Sequence, residues 1–402
     1  MKRYMELLAN QPVLRRLSII QLIAYFAAWF SNVAIYTLLI QMEVNPGIIA
    51  FTAALHFLPG VLQAPFSGTI IDRVAPKQIM MLLMMTEILM TLPLMMISDL
   101  SELWLLFMLV FVRMGAASFY FTLEMSLLPR ILKASDLKLA NEIHSIIWSF
   151  SYTFGMAVSG FVVYMVGVKI AFFLDALLFV AAIFLLLNLT LPVPVQKRAQ
   201  GYWKMMRESL SYVKANPLII HLILLHGFVG FTAFDALVAM MVDVYYAPVI
   251  ATALAIGLLH SFRAMGLMIG PILLGKWMTN RRLGYVMVFQ ALSIFLWAAV
   301  IEDFYLSLAA SVMVGLGTTT LWSYTYTLLQ QHTDEAFYGR IVAYNDMVFL
   351  LSIAVISLLI GLLAESGVTL KVITVLLGNG FIVGVLYYGW IRKHFELKEI
   401  NL

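Results

Sequence analysis

Six ionisable side chains stand inside long apolar runs of this 402-residue chain: Glu87, Arg113, Glu124, Asp175, Asp235 and Arg263. A charge near the middle of a hydrocarbon layer costs roughly 3 kcal/mol or more, so each needs a partner or water. In that setting carboxylates and guanidinium groups suit the capture and release of protons, or the grip of a polar solute. Counting ~1.5 Å per residue, Arg263 lies about 20 Å and Asp235 about 25 Å from the basic ends of two consecutive runs, which lets them meet. Asp235 is then the carboxylate whose protonation drives a cycle, with Arg263 tuning that protonation in one conformation and letting go in the other. A permanent ion pair fixing one run against the next fits the same spacing. Arg113 and Glu124 fall on nearly one face of a single run, about three helical turns apart. Arg113 suits a contact to a polar substrate, with a tie to a neighbouring helix as the alternative. Glu124, nearer the basic flank, suits a gate or a proton-coupling network.

The remaining candidates offer weaker chemistry. His56 and His260 occupy matching places in an internal repeat, where imidazoles carry protons or bind a metal. Polar helix contacts are the plainer reading. With 25 Met, 7 His and no Cys, no two His are spaced four apart and no His-rich loop occurs, so no metal centre is expected and these two His are the only candidates. Trp29, Tyr120, Phe231, Phe234, Trp322 and Tyr326, with Asn32 and Arg113 adding polar contacts, suit an apolar pocket for an amphipathic organic substrate. No phosphate-cradling glycine loop followed by Lys-Ser/Thr is present, and no nucleophile stands with a base. Work by this chain is therefore expected to draw on an ion gradient, without a cofactor and without enzymatic chemistry.

The elements that must position these residues are set by composition. At 63% hydrophobic and 11% charged, the chain reads as a polytopic membrane protein. Twelve spans are expected, from Leu17–Gln41 through Leu283–Ile301 to Val368–Ile391. Of the 25 Lys and Arg, 21 fall at the termini and in alternate loops, only Lys169 and Lys371 in the opposite loops, and Arg113 and Arg263 within spans. This asymmetry places both termini in the cytoplasm and makes the net charge of +4 an orientation signal, not a nucleic-acid footprint. The basic N-terminus has no short apolar run leading to a small-residue cleavage site, so the first span is expected to direct insertion.

The expected organisation is an N-terminal six-helix bundle over 1–191, a linker over 192–217 and a C-terminal six-helix bundle over 218–402. Within the linker, Trp203, Met206, Leu210 and Val213 recur at helical spacing opposite Lys204, Arg207 and Glu208, the pattern of an amphipathic helix on the membrane surface. The two halves repeat. Asn10-Gln11-Pro12 recurs as Ala215-Asn216-Pro217, Leu55-His56 as Leu259-His260, and Gly68 before its charged turn as Gly275 before Lys276.

Between spans 2 and 3 the sequence reads Gly68-Thr69-Ile70-Ile71-Asp72-Arg73-Val74-Ala75-Pro76-Lys77. The glycine, the Asp-Arg pair and the lysine resemble the helix 2 to helix 3 signature of the major facilitator superfamily of secondary transporters, with Ala75-Pro76 where that family has Gly-Arg. Arg113-Met114-Gly115-Ala116-Ala117 looks like its helix 4 motif. Leu128-Pro129-Arg130 with Ala140-Asn141-Glu142, and Gly339-Arg340 after the tenth span, are similar to the branch that includes the enterobactin exporter and macrolide efflux proteins. The resemblance implies an all-α fold of twelve transmembrane helices in two pseudo-symmetric bundles, with the substrate near the membrane midplane between the halves. It implies a cytoplasmic gate at Gly68, Asp72, Arg73, Lys77, Gly339 and Arg340, and peripheral packing or gating roles for Glu87 and Asp175. The function expected is proton-coupled antiport of a small amphipathic compound, a drug or siderophore-like metabolite, by a monomer in the bacterial inner membrane. Its partners are then the substrate, protons and lipid, with no nucleic acid. Ion-coupled uptake, divalent-metal export and a non-transporting receptor or scaffold are the rivals.

Overall fold

In lipid an apolar run has no water to satisfy its backbone, and a helix is the local way to pair every peptide group. The computed structural model describes residues 2–191, 202–334 and 336–397, with the side chains at 2, 68, 69, 72, 73, 134, 135, 138, 202, 203, 205 and 276 outside that description. No strand occurs among the described residues. In chain order the helices are α1 (Lys2–Asn10), α2 (Pro12–Gln41), α3 (Pro46–Leu55), α4 (Leu58–Arg73), α5 (Pro76–Thr91), α6 (Leu103–Ile131), α7 (Ala134–Val166) and α8 (Val168–Leu187). There follow α9 (Tyr202–Ala215), α10 (Pro217–Gly227), α11 (Asp235–Met241), α12 (Thr252–Leu274), α13 (Leu283–Ala299), α14 (Phe304–Gln331), α15 (Tyr338–Glu365) and α16 (Leu370–His394).

Eleven of the twelve expected spans are long and apolar enough to cross a membrane, and α13, at 17 residues, is the shorter twelfth. Two spans are not single helices. Span 2 breaks after Leu55, where Pro59 cannot donate a backbone hydrogen bond, and resumes as α4. Span 7 runs as α10, a 3-10 turn over Phe228–Thr232, α11 and a π turn over Val242–Tyr246. The 3-10 turn passes close to α15: a Cβ at Gly230 would lie 2.6 Å from the Ser352 Cβ, so only glycine lets the two segments approach this closely.

The chain divides into two compact units, one of Met1–Glu43 and Pro65–Ala199, the other of Val44–Ala64 and Gln200–Leu402. In unit 1, α2 lies along α7 and α8, while α5 packs on α6 and α8. The α2–α7 approach is close enough that the Ser159 hydroxyl donates to the Phe30 carbonyl and Ser151 Oγ donates to the Leu22 carbonyl at 3.3 Å. In unit 2, α12 packs on α14, α13 on α14 and α16, and α3 on α15. The last contact fixes Val44–Ala64 in this unit: Gly361 leaves room for Gly47 and Ala50, and Glu365 Oε1 accepts the Gly47 amide at 3.2 Å. The division therefore falls inside span 2 as well as in the linker.

The repeat seen in the sequence is also a repeat of backbone shape. Gln11 (φ −118°, ψ 82°) and Asn216 (φ −122°, ψ 82°) precede the first helix of each half in the same conformation, each followed by a proline in the first turn. Gly167, between α7 and α8, and Gly367, between α15 and α16, share a φ of +84° that side chains disfavour. The linker helix forms as α9 and docks onto the start of α15. Tyr212 stacks on Phe337 with centroids 4.3 Å apart and its hydroxyl accepts the Asp334 amide, while Arg340 reaches Ser209 Oγ at 3.2 Å and Glu208 at 3.6 Å.

Candidate functional site

Four helices of unit 1 carry their polar residues to one place in the apolar interior. From α6, Arg113 is fully buried, and its guanidinium meets Glu87 of α5 (Nε to Oε2, 2.9 Å) and Asp175 of α8 (Nη2 to Oδ2, 3.1 Å). Helix α2 closes the group: Arg113 Nη2 donates to the Ala28 carbonyl at 3.3 Å and the Ser31 hydroxyl donates to Asp175. One cation thus faces two carboxylates. Arginine suits this position because its planar fork reaches several acceptors at once and stays charged, which a lysine cannot reproduce.

Further along α6, Tyr120 and Glu124 follow Arg113 at helical spacing and share its buried face. The hydroxyls of Tyr120 and of Tyr25 from α2 lie against the Glu124 carboxylate, without reaching well-aligned hydrogen-bond geometry. Tyr25 and Tyr120 meet edge to face at 6.2 Å, and the Tyr25 ring also abuts His144 of α7, whose Nδ1 contacts the Gln21 amide. Trp29, one helical turn from Tyr25 on α2, packs edge-on against Trp148 (5.8 Å) and Tyr152 (4.6 Å) of α7. Asn32 is buried in the same helix.

In unit 2 the break in span 7 organises the polar groups. Asp235 is the first residue of α11, and its Oδ1 lies 3.7 Å from His260 Nδ1 on α12. One turn further along α12, Arg263 Nη2 donates to the Thr232 carbonyl at 3.0 Å, and its guanidinium lies 5.0 Å from the centre of the Phe234 ring. That carbonyl is available because the backbone leaves the α-helix there. Phe234 rests edge-on against Trp297 at 5.2 Å, and Phe231 packs beside Phe381. Asp235, His260 and Arg263 thus share one buried neighbourhood, with His260 as the group that faces the carboxylate. Sequence reading had set His260 beside His56 and missed this role; the signal was its place one helical turn before Arg263.

The other expected residues distribute as follows. Trp322 and Tyr326 stack on α14 with centroids 4.9 Å apart and enclose His226. His56 ends α3 with Nδ1 2.8 Å from the Thr52 carbonyl, and among the described residues no three His, Asp or Glu side chains are grouped to hold a metal. Of the expected gate, the surroundings of Gly68 and the side chains of Asp72 and Arg73 lie outside the described residues. Lys77 Nζ donates to the Leu187 carbonyl at the end of α8 at 2.8 Å, Gly339 has open space around it, and Arg340 holds α9 as described. Glu87 and Asp175, assigned peripheral roles from sequence, are the two carboxylates that hold Arg113.

Eleven membrane-length apolar helices and a shorter twelfth among the described residues, with ion pairs in the interior, make this a multi-pass membrane protein. The profile of the Major Facilitator Superfamily matches residues 17–357, and the chain belongs to that family. It is 26% identical over 220 residues to the uncharacterised MFS-type transporter YfiS of Bacillus subtilis strain 168, a match that spans 53% of this chain and 52% of that protein. The fold is similar to that of the nucleoside transporter NupG (TM-score 0.73, 12% identity, 96% of this chain and 100% of that one). It is equally similar to that of a D-xylose-proton symporter (TM-score 0.73, 10% identity, 93% and 96%). The POT family transporter PepTSo aligns with TM-score 0.72 at 10% identity over 94% and 98% of the two chains.

Proposed function

We propose that this chain is a proton-driven exporter of small amphipathic organic compounds, drugs or siderophore-like metabolites, working by alternating access as a monomer in a bacterial inner membrane with both termini in the cytoplasm. The observation that carries the reading is the placing of carboxylates beside proton-accepting or cationic partners within the spans, Asp235 with His260 in unit 2 and Glu87, Asp175 and Glu124 around Arg113 and two tyrosines in unit 1. Such groups are expensive in lipid and are retained where they do work. Coupling follows if the proton binds one access state better than the other. Asp235 is the leading coupling carboxylate, with Arg263 ordering the broken backbone beside it and Glu124 as a second proton site. Trp29, Asn32, Tyr120, Phe231, Phe234, Trp322 and Tyr326 offer aromatic and amide surface for an amphipathic substrate. Arg113, held by two carboxylates, contacts substrate only when one of them releases it. The gate reading of Gly68, Asp72, Arg73, Lys77, Gly339 and Arg340 belongs to the same proposal.

The test is Asp235→Asn in reconstituted vesicles. Substrate exchange without a gradient is expected to persist while proton-driven accumulation is lost. Accumulation at the wild-type level would remove Asp235 from the mechanism.

A further inference from the structure

A small, partly enclosed cavity lies beside the two polar groups of unit 1. Its volume is about 20 Å³, and Tyr25, Ala28, Glu87, Ala116, Ala117 and Tyr120 are among the residues that line it. A space of this size takes one water molecule when it is polar enough to offer that water two or more partners. Here the partners are set out in advance: Glu87 Oε1 is buried with no hydrogen-bond partner, the hydroxyls of Tyr25 and Tyr120 lie against Glu124 without a well-aligned bond, and all three residues border the cavity. Both oxygens of Glu124 are also unpartnered by hydrogen-bond geometry, on the far side of the same tyrosines. Buried polar atoms are rarely left unsatisfied, so three such residues around one water-sized space, with Glu124 behind two of them, call for a single explanation.

We propose that unit 1 holds one transferable proton on a buried relay that runs from Glu87 through a cavity-bound water and the Tyr25 and Tyr120 hydroxyls to Glu124. The inference rests on the proton-coupled reading above and deepens it, since it gives the N-terminal half its own proton path. Arg113, which faces Glu87, and Glu124 stand about 16 Å apart along the backbone of α6 at ~1.5 Å per residue, and their side chains and the tyrosines occupy the space between. The groups facing it are Gln21, Tyr25 and Ser31 from α2, Glu87 and Thr91 from α5, Arg113, Tyr120 and Glu124 from α6, His144 from α7 and Asp175 from α8. Among the described residues Arg113 is the cation in direct ion-pair contact with this group, opposite both Glu87 and Asp175. With a proton on Glu87 that triad is neutral. When the proton leaves, the triad carries one net negative charge and Glu124 becomes neutral, so total buried charge is unchanged.

The transfer balances atom by atom. The Glu87 O–H bond breaks as the water gains that proton. The water gives a different proton to a tyrosine oxygen, whose own hydroxyl proton forms the new O–H bond on Glu124. No electron changes owner and no co-reactant is needed. Asp175 keeps its Ser31 and Arg113 bonds throughout and holds Arg113 in place for either state of Glu87.

Two readouts test the relay on the purified full chain in vesicles. Infrared difference spectra across a pH jump follow protonated carboxyl groups without any transport. Glu87→Gln and Glu124→Gln are each expected to remove or shift the same carboxyl band, because one proton is shared. The second readout uses Ala117→Val, which fills the cavity and displaces the water without touching an ionisable group. It is expected to slow proton-driven transport about tenfold while exchange without a gradient stays within about twofold. Carboxyl bands that respond independently to the two Gln substitutions, or an Ala117→Val chain that transports at the wild-type driven rate, would overturn the relay. If the wild type moves no substrate in response to protons, the functional reading fails and the shared band alone decides the relay.

Discussion

Arg113 shows at the scale of one residue how a charge survives in an apolar interior: it is held from three sides and leaves neither carboxylate unmatched. Removing it leaves two buried carboxyl groups without their partner, so Arg113→Leu is expected to lose roughly 3–5 kcal/mol of stability. Arg113→Lys should fall between that variant and the wild type, since an ammonium cannot reach both carboxylates with a planar fork. Thermal unfolding of the detergent-solubilised protein measures both, and an Arg113→Leu chain as stable as the wild type would refute the assignment. The sequence exposed these six charges at once, because ionisable residues in apolar runs stand out. Their pairing was less legible. Glu87 and Asp175 lie far from Arg113 in the chain, and only the packing of α5 and α8 on α2 and α6 brings them together. His260 was hidden for a similar reason, since its partner Asp235 sits at a helix restart that periodicity does not mark.

At the scale of elements, small residues decide how near two helices come. Gly266 and Gly270 on α12 face Gly315 and Leu316 on α14, and a Cβ at Gly315 would stand on the Arg263 carbonyl and 2.9 Å from the Gly266 Cα. Gly315→Ala must push the helices apart and is expected to cost about 1–3 kcal/mol. Gly275→Ala, just past the end of α12 with open space around it, should change stability by less than about 0.5 kcal/mol. Comparing the two thermal midpoints checks this; equal shifts would mean that α12 and α14 do not rely on that contact. Hydropathy alone located the spans, because length and apolarity suffice for that. It missed the internal breaks of spans 2 and 7, the first at Pro59 and the second beside α15, and it ran span 9 two residues past the end of α13.

At the scale of the whole molecule, the repeat is the feature that sequence and structure share most fully. The Pro-led entries at Gln11 and Asn216 were visible as words in the sequence, whereas the matching turns at Gly167 and Gly367 emerge only from their backbone angles. Two related sets of spans, one with Glu87, Glu124 and Asp175 buried in it and the other with the partly buried Asp235, fit a machine that changes access when protons bind or leave. Substrate identity is the least legible level, since aromatic side chains at helical spacing serve packing and recognition alike. The most direct test of the central claim is accumulation of a panel of amphipathic compounds in inverted membrane vesicles containing the chain, with an imposed proton gradient. Proton-driven export predicts uptake into the vesicles when their interior is acidic and collapse of that uptake on addition of a protonophore. Uptake that ignores the gradient, or gradient-driven movement in the opposite direction, would contradict it.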